Sequence, residues 1–322
     1  MKTGMFAALL AGAMLVAPTA SVLAQSFPSK PIRIIVPYPP GGAVDVFGRT
    51  IGQKLSERLG QPVIIENKPG ASGNIGAEFV ARSAPDGHTL LAVHNGFPML
   101  PWVSKSLPFD VMKDFAPIGI GVTMPMVMVV TNKLPVKSVS ELIDYARANP
   151  GKLSYATPGI GVAHHMATEM LMNMTGIKMV QVIYKGAAGM MPDLISGEVQ
   201  VAFGALNWAV PLIQSGKLRV IGIAERQRLP QFKDVPTVNE SLPGFEVNFW
   251  FGLVAPAGTP DAITNKLSEE QRAIVHLPEV RARLAGIGFE GNPTSAAEMR
   301  QIMITEIEKW GKVVKAAGIQ PQ

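Results

Sequence analysis

Short β-branched runs alternate along the chain with longer stretches in which apolar residues recur every third or fourth position. The run PIRIIV at 31–36 reads as a strand that ends in the turn PYPPGG. From there Phe47, Ile51, Leu55 and Leu59 fall on every fourth position, the apolar stripe of a helix closed by Gly60. A second strand (63–66) leads through the loop KPGASG into a helix over 74–83, which Pro85-Asp86-Gly87 closes ahead of a third strand at 89–93. Strands alternating with helices through tight Gly/Pro turns predict an α/β fold with a parallel sheet.

Two longer apolar runs, 124–131 (MPMVMVVT) and 247–255 (VNFWFGLVA), read as strands connecting two domains. Between them the pattern predicts a second series: helices at 140–148, 164–173 and 188–196, and strands at 153–156, 179–183, 199–203 and 218–223. Helices at 261–276 and 295–317 follow, the latter with Glu306, Lys309 and Lys312 on its outer face. A chain that leaves one domain, builds a second and returns gives two lobes joined by two strands. Lobe 1 is expected at 25–124 plus 255–322, and lobe 2 at 125–254 with both crossover strands. Clefts between such lobes favour ligands, and the crossovers let them close.

The first two dozen residues change the picture. Lys2, an apolar stretch over 6–16, the break at Pro18-Thr19 and the small residues of Val22-Leu23-Ala24 form a secretory signal with cleavage expected after Ala24. The apolar run is about a dozen residues, short of the roughly 20 that span a bilayer. The chain has no cysteine, so a lipid-anchored form is not expected, and the protein should diffuse freely in the periplasm. Its 29 basic and 24 acidic side chains are interspersed. No basic stripe with interleaved aromatics suggests nucleic-acid binding.

Candidate chemistry concentrates in two glycine loops. In YPPGGAVD (38–45) two prolines stiffen the approach, and two glycines remove the Cβ atoms that would hold a ligand off the backbone. The helix that follows presents unpaired N–H groups and its positive end, a backbone anion site suited to a carboxylate. A phosphate-gripping loop needs four residues between its glycines and then Lys-Ser/Thr; Gly42 and Gly48 bracket five, and Arg49 follows. The second loop, TPGIGVAHHM (157–166), again lies between a strand and a helix but lacks the third glycine of a dinucleotide site. His165 and Glu169 share a helical face without an HExxH order, which favours capping or hydrogen bonding over a metal. There is no GxSxG and no Cys nucleophile. Asp45 reads as a helix-start acid or as an acceptor for a ligand's amino or hydroxyl group.

Several ordered segments carry a resemblance: KPIRIIVPYPPGGAVDVFGR (30–49), VIIENKPGASGNIGAEFVARSAPDGHTLL (63–91), LPFDVMKDFAPI (107–118), TPGIGVAHHM, YKGAAGMMPDLISGEVQVAF (184–203), FKDVPTVNESLPGFEVNFWFGLVAPAGTP (232–260) and KWGKVVKAAGI (309–319). Together they resemble the Bug-type, or TctC-type, substrate-binding proteins of tripartite tricarboxylate transporters. The resemblance implies a two-lobed periplasmic-binding-protein fold (type II-like), each lobe a mixed or parallel sheet flanked by helices. It implies no enzyme activity and no cofactor or metal. The partners it implies are a small carboxylate held in the cleft and membrane permease subunits; a ligand-sensing role with a membrane sensor kinase is the alternative reading of the chain, and an exported hydrolase or lyase the less favoured one. A monomer is expected.

Carried onto this sequence, the ligand contacts are Tyr38, Pro40, Gly41, Gly42, Ala43 and Asp45, with Asn74, His94 and Asn95, from lobe 1. Those from lobe 2 are Thr157, Gly159, Gly161, Val162, His165, Gly204 and Asn207. Val44 and Val162 stand where the family often has Ser or Thr, Gly204 where an Asp is frequent, and AVHNGFPML replaces a TGGTHA-like segment. Each departure predicts a pocket less polar or roomier than one for citrate, suited to an aromatic or short aliphatic monocarboxylate.

Overall fold

A computed structural model describes residues 27–321 apart from Lys185 and Asn248; the secretory signal expected at 1–24 lies outside the described residues. In chain order the elements are β1 (Ile32–Val36), α1 (Ala43–Leu59), β2 (Val63–Asn67), α2 (Asn74–Ala81), β3 (Thr89–His94) and α3 (Leu100–Val103). Then come β4 (Phe115–Met124), β5 (Met126–Thr131), α4 (Val139–Ala148), β6 (Ser154–Thr157), α5 (Ala163–Thr175) and β7 (Val180–Ile183). They are followed by α6 (Ala187–Ser196), β8 (Val201–Ala205), α7 (Leu206–Gln214), β9 (Leu218–Ile223) and α8 (Val238–Ser241). The chain ends with β10 (Phe249–Pro256), α9 (Asp261–Val275), α10 (Pro278–Ala285), β11 (Glu290–Gly291) and α11 (Ala296–Ala317).

The strands form two sheets, in the orders β11-β4-β10-β3-β1-β2 and β7-β6-β8-β5-β9. In the first, β1 pairs in parallel with β2 and β3, and β10 runs antiparallel between β3 and β4. In the second, β6 is parallel to β7 and β8, and β5 lies antiparallel between β8 and β9. This is the two-lobed α/β architecture expected; the antiparallel β10 and β5 make both sheets mixed, as the family resemblance allows, rather than the purely parallel sheet that alternation alone predicts. Phe47, Ile51 and Leu55 of α1 are fully buried on the first sheet, and the helix ends at Gly60, whose φ of 66° suits glycine.

The crossings between lobes differ in detail from the sequence reading. The run at 124–131 is two strands: β4 ends in the first sheet at Met124, and β5 opens the second after Pro125. The segment 115–124 escaped notice because Gly119 and Gly121 interrupt its apolar pattern. They serve close packing, since a Cβ would fall 2.5 Å from the Thr294 carbonyl oxygen at one and 2.8 Å from Phe47 at the other. The boundary expected at 254/255 falls inside β10, all of which pairs with β4 and much of it also with β3. The C-terminal helix belongs to neither lobe alone. Met299 and Met303 of α11 pack in a lobe 1 cluster, whereas Trp310, Val313 and Val314 pack with the lobe 2 core. Its start is fixed by a capping box between Ser295 and Glu298. Glu306, expected on the outer face of this helix, is 8% exposed and accepts a hydrogen bond from Trp250 Nε1 at 3.0 Å. The helix packs on β4, and Trp250 reaches Glu306 from the neighbouring strand β10, which periodicity within the helix cannot reveal.

Candidate ligand cleft

The turn from β1 to α1 places Gly41 at φ 85°, and its N–H donates to Asp45 Oδ2 at 2.9 Å. Arg49 Nε donates to the same oxygen at 2.9 Å and Asn67 Nδ2 to Oδ1 at 2.9 Å. The Asp45 side chain is 4% exposed. Burial pushes its carboxyl upward, but the bonds from Arg49, Gly41 and Asn67 outweigh this and hold it below its ordinary value. Asp45 is thus an internal anion that knots the turn to α1 and β2, with both oxygens already engaged. The Gly41 amide, expected to meet a ligand, is engaged with it.

The turn from β6 to α5 is built the same way. Gly161 has φ 71°, and its N–H donates to His165 Nδ1 at 3.0 Å. An accepting Nδ1 puts the imidazole proton on Nε2, which lies 3.5 Å from Glu169 Oε1. The same carboxylate oxygen receives the Tyr155 hydroxyl at 2.7 Å. Thr157 is buried, and its Oγ1 donates to the Gly159 carbonyl at 2.7 Å, closing the turn. His165 is therefore a brace behind the loop, and its neighbour His164 faces the cavity.

That cavity, about 720 Å³, lies between the lobes. Of the residues expected to bind ligand, Tyr38, Asn74, His94, Asn95, Gly161 and Val162 line it. Pro40, Gly41, Gly42 and Ala43 are exposed beside it without lining it. Gly204 does not open space. A Cβ there would fall 1.9 Å from Trp208 Cζ2, so the indole of α7 fills the volume an acidic side chain would need. Asn207 packs against Gly288 of lobe 1 instead. Val44 is buried in the lobe 1 core, whereas Val162 is 36% exposed in the cavity.

Lining residues that sequence reasoning missed include His164, Ile160, Phe249 and, just after β3, Leu100, Val103 and Ser104 to Ser106. The doublet His164-His165 was a usable signal for the first, but its phase was not. The His164 ring lies 5.1 Å from that of Phe249, and its Nδ1 has no hydrogen-bond partner among the described residues. Asn74 Oδ1 is likewise unpartnered. Burial pushes the His164 imidazole down to about 4.

The polar wall centres on Tyr38 and His94. His94 Nδ1 accepts the Gly96 N–H at 2.8 Å, so Nε2 carries the proton and donates to the Tyr38 hydroxyl oxygen at 2.8 Å. That leaves the Tyr38 O–H to donate, and it is held only by a long 3.5 Å contact to the Ser72 carbonyl. Burial pushes the tyrosine up to about 12 and His94 down to about 4, so both stay neutral across the physiological range. Both α1 and α5 begin without a side-chain cap, leaving first-turn amides unsatisfied within the helix. Among the described residues no three His, Cys, Asp or Glu side chains converge to hold a metal.

Two α/β lobes, two crossings and a cavity between them, lined by hydrogen-bonding groups and no carboxylate, define a solute-binding protein of the two-lobed type. Residues 47–319 match the model of the tripartite tricarboxylate transporter family receptor, and the chain belongs to that family. It is 33% identical to protein BugT of Bordetella pertussis over 93% of each chain. Among solved structures it is similar to R. palustris Rpa4515 with adipate (35% identity, TM-score 0.77, covering 92% of this chain and 100% of that one). It is similar also to the periplasmic binding protein BugD (32% identity, TM-score 0.73, 92% and 100% covered). The chain is accordingly a solute-binding receptor of a periplasmic family, not an enzyme.

Proposed function

We propose that the chain is an exported, monomeric receptor that captures a small carboxylate with an apolar body and delivers it to a membrane permease of the tripartite type. One observation carries the ligand class: the Tyr38 hydroxyl, made an acceptor by His94, has its own proton to give into a cavity with no carboxylate and a single charged side chain, Lys105, among its lining residues. A carboxylate is the anion such a wall suits. Tyr38, the amide of Asn74 and the first-turn N–H groups of α5 are its donors, with His164 beside them. Leu100, Val103, Ile160, Val162 and Phe249 supply an apolar surface for the rest of the molecule, favouring a solute less polar than citrate. The adipate bound to the R. palustris relative agrees with this class. Cleavage after Ala24 without lipid attachment leaves the receptor free to diffuse.

Titration calorimetry of the mature protein against citrate, hexanoate and benzoate tests the reading. Hexanoate or benzoate binding that weakens about tenfold in Tyr38→Phe is expected. Tight citrate binding with no affinity for either monoacid would overturn the ligand class.

A further inference from the structure

A second cavity, of about 390 Å³, lies across the crossover strand from the cleft. Successive side chains of a strand point to opposite faces. In β10, Phe249 lines the cleft, and its neighbour Trp250 lines this second cavity. Thr123 of β4 comes to it from lobe 1, Arg226 and Glu246 from lobe 2, and Glu306 from the bridging helix α11.

Glu306 is the group there whose bonding is incomplete. Asp45 and Glu306 are the buried carboxylates among the described residues. Asp45 is bonded through both oxygens and paired with Arg49. Glu306 accepts from Trp250 Nε1 through Oε2, whereas its Oε1 receives no hydrogen bond from a described residue. The cations of the same cavity are held by other groups. Arg226 Nε donates to the Glu246 carboxylate, and Lys309 Nζ donates to the Glu246 carbonyl at 3.2 Å while lying over the Trp310 ring. Burial without a counter-ion in contact raises the Glu306 carboxyl to about 7.

We propose that this cavity binds a small primary ammonium carried on an apolar chain, with Glu306 Oε1 as its counter-ion. An ammonium has three N–H donors and no acceptor, and Thr123, Asn292 and Gln301 on the same walls offer oxygens for those that Glu306 leaves. Ile120 and Ile302 supply apolar surface for the chain. A buried charge without a partner is costly, and a ligand that brings the partner recovers that cost. An anion would meet Glu306 while both nearby cations are already engaged. The site is separate from the cleft and does not depend on the carboxylate reading.

The test titrates 1-pentylamine and its neutral counterpart 1-pentanol into the mature protein labelled at the tryptophan indole nitrogens, at pH 8. The Trp250 indole N–H bonds Glu306, so its resonance reports on the site. Pentylamine is expected to move that resonance at about tenfold lower concentration than pentanol. Its affinity should fall at least about tenfold from pH 8 to pH 5 as Glu306 takes up a proton. Arg226, Glu246 and Lys309 also face the cavity, so the pH dependence should persist in Glu246→Gln and vanish in Glu306→Gln. Glu306→Gln should also erase the preference for the amine, while melting with wild type at pH 5, where the protonated acid and the amide have the same shape. A Trp250 resonance unmoved by pentylamine, equal responses to amine and alcohol, or an amine preference that survives Glu306→Gln overturns the proposal and leaves the receptor reading standing.

Discussion

The two glycine loops answer the same problem with opposite electrostatics. Each follows a strand, holds a glycine at positive φ, and passes that glycine's N–H to the side chain four residues on. In lobe 1 the acceptor is Asp45, an ion ringed by Gly41, Arg49 and Asn67. In lobe 2 it is His165, a neutral ring braced on Glu169. The charged knot holds a turn that stands beside the cavity, whereas the neutral brace holds a loop that lines it. A fixed carboxylate near the ligand would repel the carboxylate proposed above, and the loop facing the cavity is locked by an imidazole instead.

The contrast breaks first on stability. Asp45→Ala strands the Gly41 amide, the Asn67 amide and Arg49, and should cost about 3 kcal/mol in urea unfolding. His165→Ala removes one amide partner and a weak contact to Glu169, and should cost about 1.5 kcal/mol. Because the Asp45 carboxyl is held below its ordinary value, its contribution is present above about pH 4 and is lost as pH falls through the lower folded value. Equal losses in the two variants would mean that the charge network adds nothing beyond one capped glycine.

How much of this was legible in the sequence depends on where each signal resides. The helix α1 was readable because Phe47, Ile51, Leu55 and Gly60 lie within one element. Strand β4 was not, because Gly119 and Gly121 are explained by Thr294 and Phe47, which are remote in sequence. Both glycine loops were found, but which atoms face the solute was not. His164 and His165 are adjacent on one helical turn, and only Tyr155 and Glu169 behind the loop decide which points inward. Gly204 read as added room until Trp208, one helical turn later, was seen to occupy it.

Binding breaks the contrast next. Val162 and Ala43 both stand at helix starts, one in the cavity and one outside it. An aspartate at either position suits its helix dipole, so the fold tolerates both. Val162→Asp sets a carboxylate against the bound one and should weaken adipate about thirtyfold, near 2 kcal/mol. Ala43→Asp should change adipate affinity by less than about threefold, mostly through the long-range field. A comparable loss in both would place the lobe 1 turn against the solute.

The smallest expected effect is on the pH dependence of binding. His94 and His164 are pushed by burial to about 4, and Tyr38 to about 12, so none of these three changes charge in between. Adipate affinity should therefore be flat from about pH 6 to about pH 9 by calorimetry, within about twofold. Stability should not be. Burial raises Glu306, behind β10, to about 7 against the weaker pull of Lys309 and the Trp250 hydrogen bond. A raised carboxyl contributes stability that is full below its unfolded value and is lost as pH climbs through the folded one. Wild type should lose about 2 kcal/mol between about pH 5 and pH 8, and Glu306→Gln, which keeps an acceptor for Trp250, should not. Affinity that instead fell with the stability loss, and was levelled by Glu306→Gln, would show that the buried acid behind the crossover strand sets closure of the cleft in front of it.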